Sequence, residues 1–511
     1  MLKIFLILFT VLCNINCVVY AKTINKSVAT KTQNARTVNS NTTKRKKQKN
    51  KNNKKNTRAK NQQQIKVSDI NIVVKKDDTN KQKQINKNDK AKQNAKNTKV
   101  IDKDIMPLDL VHLIDLALQR NNNIKNSYLN VEVGKNDLNI QKSTLLPSFT
   151  ANGSYVYRKD ITRDIHSNGL DANISANYTI FTFGKKIDKI SEVEHRLKAI
   201  KYQNNVEIQT LIHNISILYY KILSNRAELD SAIEIEKASA EALKVVSLKY
   251  KIGLAVLADK LKAKAANEND KVKILSIKNS GKALHSQLNS ILNIDMKFHI
   301  FFDEPELKIR KTKKNINELL NIALENRNEL HLMNEEKNAY QKELLVVKKE
   351  FLPEVSVGGK VGKLGEKKFD GDRYGEAGIN ITMPIFTGFS TVNEVKKINN
   401  QIKQINLNIE QKKNDISKEV VDSYNNLITG EEVYNVSLSI LKSTEEHAKL
   451  TLGMYKNGKA TVLDVVEANK ELGEAKYQFI NAKYSWLMNR IELLRVIGKM
   501  DIKNVSTIEE L

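Results

Sequence analysis

Two stretches of this chain, residues 185 to 250 and 390 to 455, run without a proline and carry apolar residues at three-four spacing. In the first, Ile208, Leu211, Ile212, Ile215, Leu218, Tyr219 and Ile222 form a stripe, and in the second Ile402, Ile405, Ile409 and Ile416 do. That period predicts helices that pack side by side. At 1.5 Å per residue each would reach about 100 Å. Gly430 is the weak point of the second stretch and is expected to mark a local distortion.

Ahead of each stretch the period changes to two. Phe149, Ala151, Gly153, Tyr155 and Tyr157 alternate with Thr150, Asn152 and Ser154, and Ala172, Ile174, Ala176, Tyr178 and Ile180 alternate with Asp171, Asn173, Ser175, Asn177 and Thr179. Val355, Val357, Gly359 and Val361, then Ala377, Ile379, Ile381, Met383 and Ile385, repeat the pattern. Four strands are predicted, near 147–158, 170–181, 353–363 and 376–386, each with one apolar and one polar face. The charged, glycine-bearing segments 159–169 and 364–375 are the expected hairpin tips.

These elements occur twice because the chain is internally duplicated. Leu145-Leu146-Pro147 recurs as Phe351-Leu352-Pro353, and Ile180-Phe181-Thr182 as Ile385-Phe386-Thr387. Tyr250-Lys251-Ile252-Gly253 with Asp259 recurs as Tyr455-Lys456-Asn457-Gly458 with Asp464. A constant offset of about 205 residues is the signature of a repeat architecture. Repeat 1 spans 105–302 and repeat 2 spans 303–500, each built as helix, hairpin, long helix, tight turn, helix, with a tail at 501–511. The five prolines, Pro107, Pro147, Pro305, Pro353 and Pro384, all fall outside the long helical stretches.

Composition adds the cellular setting. Lys3 precedes an apolar run from Ile4 to Leu12, and Val19-Tyr20-Ala21 offers small residues for cleavage, so residues 1–21 read as a secretory signal peptide. Both cysteines, Cys13 and Cys17, fall inside it, which leaves the mature chain without a thiol. Residues 22–104 hold 25 basic and 6 acidic residues, a net +19 of the chain's +27. This Lys/Asn-rich arm has too little apolar surface to offset ordering entropy and is expected to be disordered. Its role stays open between a tolerant linker and an envelope tether, and export argues against nucleic acid as its partner.

No later segment approaches the roughly 20 apolar residues of a membrane helix. An exported chain that spans a membrane must then do so with strands, in a bacterial outer membrane. Four strands cannot close a barrel, and open edges are not tolerated in lipid, so the chain must oligomerise. A dimer would barely close, and a trimer of twelve strands leaves a lumen; the pattern alone does not choose.

The two-repeat plan, the Leu-Pro before each first strand, Pro384-Ile385-Phe386-Thr387-Gly388, and the turn Tyr455-x-x-Gly458-x-x-Thr461-Val462-x-Asp464-Val465 together resemble the TolC family of outer-membrane efflux proteins over residues 106 to about 500. The resemblance implies a mostly α fold with a small membrane β portion. It also implies a homotrimer whose twelve-stranded barrel continues into a periplasmic α-helical barrel, docked to a periplasmic adaptor and an inner-membrane pump. The function implied is a passive exit duct for efflux or type I secretion of drugs, small molecules or proteins. The basic arm lies outside the resemblance.

The same resemblance places Asp464, Glu467, Asp259, Tyr455, Gly458 and Gly253 at the periplasmic aperture, with Asp464 and Glu467 as its acidic constriction. Their spacing of three puts both carboxylates on one helix face. The bland alternative is a solvated surface pair. The family's gating arginine position falls on Ala460 and its threonine partner on Ala258, so those closing bonds do not carry over, and Lys459 and Lys260 are the candidate substitutes.

No phosphate loop, zinc-ligand spacing or nucleophile elbow occurs, and the eight histidines are scattered. Asp370-Gly371-Asp372 lacks the rest of a calcium loop. The expectation is a non-enzymatic protein without cofactor or metal, powered by a partner. The competing class is a structural coiled-coil or adhesin-like envelope protein without channel activity.

Overall fold

The computed structural model describes residues 109 to 506, apart from 161, 163–164, 297–299, 301, 303–314 and 366–370. The expected signal peptide, the basic arm and the end of the tail lie outside the described residues. Repeat 1 comprises α1 (Leu110–Arg120), α2 (Asn122–Ser143), β1 (Ser148–Asp160), β2 (Ile165–Phe181), α3 (Lys185–Lys251) and α4 (Leu257–Leu292). Repeat 2 follows the same order with α5 (Ile316–Asn326), α6 (Asn328–Lys348), β3 (Glu354–Gly365), β4 (Arg373–Thr382), α7 (Ser390–Lys456) and α8 (Val462–Val496). The tail segment opens with a short helix, α9 (Ile502–Ser506), whose Val505 is buried.

Both α3 and α7 are 67 residues long. Their stripes do what the spacing predicted: Leu211, Ile212, Ile215, Leu218, Tyr219 and Ile222 are buried on α3, as are Ile405, Ile409 and Ile416 on α7. α7 runs unbroken through Gly430. That glycine serves close packing instead of distortion, since a Cβ there would lie 3.1 Å from Asn489 Nδ2 of α8. Each long helix starts after a left-handed pair, Phe183-Gly184 and Gly388-Phe389. The tight reversal from strand into helix needs positive φ at both positions.

The main core sits midway along the long helices. There α1, α5 and the C-terminal ends of α4 and α8 bring Leu113, Ile114, Leu288, Leu292, Leu319, Trp486 and Ile491 against α3 and α7. Arg327, buried at the junction of α5 and α6, donates to Glu419 Oε2 at 2.9 Å, to Glu329 and to the Val496 carbonyl at 3.1 Å. Every donor there is matched, as a buried guanidinium requires. Next to it, burial works against the Glu492 carboxylate, yet hydrogen bonds from His213 and Arg495 bring it down to about 2.

The strands form one antiparallel sheet in the order β1-β2-β3-β4. The two hairpins are therefore joined across the duplication by β2 and β3, a pairing with no local sequence signal. Registers such as Ala151↔Ile174, Ile174↔Val361 and Val357↔Ile379 put the apolar alternates of all four strands on one face. Phe149, Tyr155, Tyr157, Ile174, Val361, Ile379 and Ile381 of that face are exposed. On the other face Asn152 donates to Asn173 at 3.2 Å, and Lys360 meets Glu376 at 3.3 Å. The strands run further into the expected tips than the charge pattern implied, because pairing needs only backbone groups. β4 stops at Thr382, short of the expected 386, since Pro384 has no N–H to donate.

Candidate channel mouth at the helical tip

Opposite the sheet, each long helix ends in a tight turn leading to its partner helix. In both turns the left-handed residue is glycine, Gly253 at φ +79° and Gly458 at φ +74°. Gly253 N–H donates to the Tyr250 carbonyl at 3.1 Å and Leu254 N–H to the Lys249 carbonyl at 2.8 Å. Gly458 N–H and Lys459 N–H make the same pair of bonds to Tyr455 and Met454, at 3.1 and 2.8 Å. This double bond to the last helical turn is the Schellman closure, and it needs positive φ at one position.

The predicted acidic residues sit just past the second turn. Asp464 is the third residue of α8 and closes a capping box: its carboxylate accepts from Thr461 N–H at 2.7 Å, while Thr461 Oγ1 accepts from Asp464 N–H at 3.3 Å. Hydrogen bonds from the Thr461 backbone and side chain hold the Asp464 carboxyl below its ordinary range. Glu467 is exposed one turn further on. Asp259 holds the equivalent place in α4, half-buried in the first turn after Val256. The residue that corresponds to Glu467 there is Lys262, also exposed.

Tyr455 is buried in a small tip cluster with Ala242, Val246, Ala263, Val462 and Val465. Among the described residues its hydroxyl has no hydrogen-bond partner, and burial, with Asp259 nearby, pushes its pKa up. The ties between the repeats come from residues the sequence reading did not single out. Lys249 of α3 donates to the Tyr455 carbonyl at 2.7 Å and lies 3.9 Å above its ring. Lys456 of α7 reaches Glu241 of α3 at 2.9 Å, and Lys476 of α8 reaches Glu234 at 2.5 Å. Of the two suggested substitutes, Lys260 lies over Tyr250 of its own repeat at 5.2 Å. The Lys459 side chain makes no hydrogen bond or ion pair among the described residues. A bond to a main-chain carbonyl leaves no mark in the acceptor's side chain, so nothing in the sequence marked the Lys249 contact.

Among the described residues no group of three or more His, Cys, Asp or Glu side chains is placed to hold a metal, and no helix is long and apolar enough to cross a membrane. Asp370 of the Asp-Gly-Asp stretch lies outside the described residues. Two coupled helical repeats carrying a four-stranded sheet with one exposed apolar face give the two-repeat architecture of an outer-membrane efflux channel. The chain belongs to the outer membrane efflux protein family, whose profile matches residues 113–293 and 319–499, one match per repeat.

It is 22% identical to outer membrane protein TolC of Salmonella enteritidis over 419 residues, which cover 77% of this chain and 82% of the relative. With the toluene efflux pump outer membrane protein TtgF of Pseudomonas putida it shares 24% identity, covering 76% and 82%. Among solved structures, the Campylobacter jejuni CmeC outer membrane channel superposes with a TM-score of 0.70 at 18% identity, covering 78% of this chain and 89% of that one. This is therefore an outer-membrane efflux channel, a non-enzymatic component of an efflux pump, and not an inert coiled-coil spacer.

Proposed function

We propose that the chain assembles as a homotrimer, a twelve-stranded barrel in the outer membrane continuous with a helical tube in the periplasm. In this reading the tube is the passive exit duct of an inner-membrane pump reached through a periplasmic adaptor. The observation that carries it is the four-stranded sheet, whose exposed apolar face needs lipid and whose outer strands β1 and β4 each leave an edge unpaired among the described residues. The tip is the periplasmic mouth. Its narrow ring takes Asp464 and Glu467 from repeat 2, with Asp259 of repeat 1 beside them, and favours cations. The exposed apolar turn Ile252 to Leu257 is the surface left for the adaptor. One relative is named as the outer membrane protein of a toluene efflux pump, and exported drugs, small molecules or proteins would all be carried by the same duct.

Two measurements test this. Amine cross-linking in native membranes gives a ladder ending at three. In planar bilayers, Asp464→Asn with Glu467→Gln lowers cation selectivity severalfold and weakens block by trivalent cations, with trimer yield unchanged. Unchanged selectivity would put both carboxylates on a solvated outer face, and a soluble monomer would remove the barrel.

A further inference from the structure

The duplication sets α3 and α7 in one-to-one correspondence, with Lys251 matching Lys456 and Gly253 matching Gly458 at an offset of 205 residues. Within the chain repeat 1 meets repeat 2 along one side. In a closed ring of copies repeat 2 must meet repeat 1 of the next copy, and the internal contact becomes a template for the external one.

Among the described residues three lysines tie the repeats toward the tip by a hydrogen bond or ion pair, and the template can be applied to each. Lys249, which binds the Tyr455 carbonyl, corresponds to Met454, so that contact cannot recur. Lys476 with Glu234 corresponds to Lys271 with Ser439, and Lys271 instead pairs with Glu268 of its own helix at 3.0 Å. Only Lys456 with Glu241 has both ends duplicated, as Lys251 and Glu446. Both are exposed, and among the described residues neither makes an ion pair or hydrogen bond through its side chain.

We propose that Lys251 forms an ion pair with Glu446 of the partner subunit, so that each junction between copies repeats the Lys456–Glu241 pair found inside one copy. The inference rests on the ring assembly proposed above. The sheet fits the same rule: with β1 and β3 related by the 206-residue offset of Pro147 and Pro353, Ile174↔Val361 of the internal β2–β3 pairing maps onto Ile379 of β4 facing Tyr155 of the partner subunit's β1, two exposed residues of the apolar face. Charge complementarity thus marks the tip end of the same junction. A solvent-exposed pair of this kind adds little to the stability of an assembly. Losing it leaves the oligomer intact, which permits a clean test.

A carbodiimide joins a lysine to a carboxylate only when the two are in contact. The full-length chain in native membranes is treated with it and digested, and the linked peptides are identified by mass spectrometry. A Lys251→Arg chain and a Glu446→Gln chain, expressed separately, should each lack the Lys251–Glu446 link. Expressed together, they should regain it, because the surviving lysine and the surviving carboxylate then lie on different chains. Recovery supports the proposal. A link seen in the wild-type chain but not in the mixture places the pair within one copy and overturns it, as does no link in oligomers that still resolve as trimers. If amine cross-linking also gives no oligomer, the ring itself has failed and the pair fails with it.

Discussion

The two tip turns share a backbone and differ in nearly everything attached to it. Both close on a glycine of positive φ with the same pair of hydrogen bonds. The helix after the second turn starts on Thr461, whose capping box with Asp464 satisfies its first amides, and its loop carries Asn457 and Lys459. The helix after the first turn starts on Val256, which has no side-chain cap, and its loop exposes Ile252, Leu254 and Leu257. The C-terminal glycine decides where the chain reverses, while the N-cap decides how firmly the next helix begins. After duplication one copy kept a firm, charged turn and the other an apolar, uncapped one. In the mouth proposed above, this would divide the labour between a ring that faces ions and a surface that faces a partner protein.

The shared backbone is the part most costly to disturb. A Cβ at Gly253 or Gly458 would touch nothing within 4 Å, so alanine at either position meets no clash and suffers only the left-handed conformation. That strain costs about 1.5 kcal/mol. Hydrogen exchange of the four or so amides after each turn should accelerate about tenfold in the mutated turn and not in the other. Equal effects in the two turns support a common backbone. A mild effect at one alone would show that its turn relaxes to another geometry.

The sequence made the long helices legible nearly to the residue, because Lys185 to Tyr250 and Ser390 to Tyr455 combine an unbroken period with glycine or proline at each boundary. The strands were legible because a hairpin with one apolar face alternates, as from Phe149 to Tyr155 and from Val355 to Val361, with Val156 as a break in the pattern. What stayed hidden was long-range. The β2–β3 pairing joins segments nearly two hundred residues apart and depends on no shared side-chain pattern. At the mouth, the turn glycines and acids were visible through duplication and family resemblance. Lys249 was not, because its counterpart is Met454 and its acceptor is a carbonyl. Two of the three lysine ties at the tip, those of Lys249 and Lys476, thus lie where the repeats have diverged, and divergence is what a search for repetition passes over.

The difference between the turns can be erased from either side. Replacing Thr461 by Val gives the second turn the residue found in the first. Losing the Thr461 oxygen as acceptor for the Asp464 amide costs about 1 kcal/mol, read as about fivefold faster exchange over residues 462–465. The substitution also changes the response to acid. Asp464 titrates below its ordinary 3.8 because Thr461 donates to it, so its contribution is complete above that value and is lost as pH falls through the lower folded one. Protection at the start of α8, corrected for intrinsic exchange rates, should therefore fall as pH drops below 3.8 and through the lower folded value, and Thr461→Val, which removes the side-chain bond and keeps the backbone one, should flatten part of that slope. A slope unchanged by the substitution would mean that another carboxylate sets the acid response of the tip.

The opposite change is the smallest in size and the sharpest in meaning. Val256→Thr puts a hydroxyl before α4 with Asp259 already three residues on, the spacing used by Thr461 and Asp464. The position is exposed and its backbone, at φ −90° and ψ 159°, matches that of Thr461 at −90° and 164°, so the cap should form without rearrangement. Exchange over residues 257–260 should slow by about twofold to threefold, a gain near 0.5 kcal/mol, because one threonine satisfies an amide already open to water. Gain of protection with loss of pump coupling would mean that the uncapped, apolar turn is kept loose for its partner. Gain of protection with full transport in cells would show that Val256 is only a neutral relic of duplication. No gain at all would show that the two turns, alike in φ and ψ, differ in how they admit a cap, and the comparison between them would lose its footing.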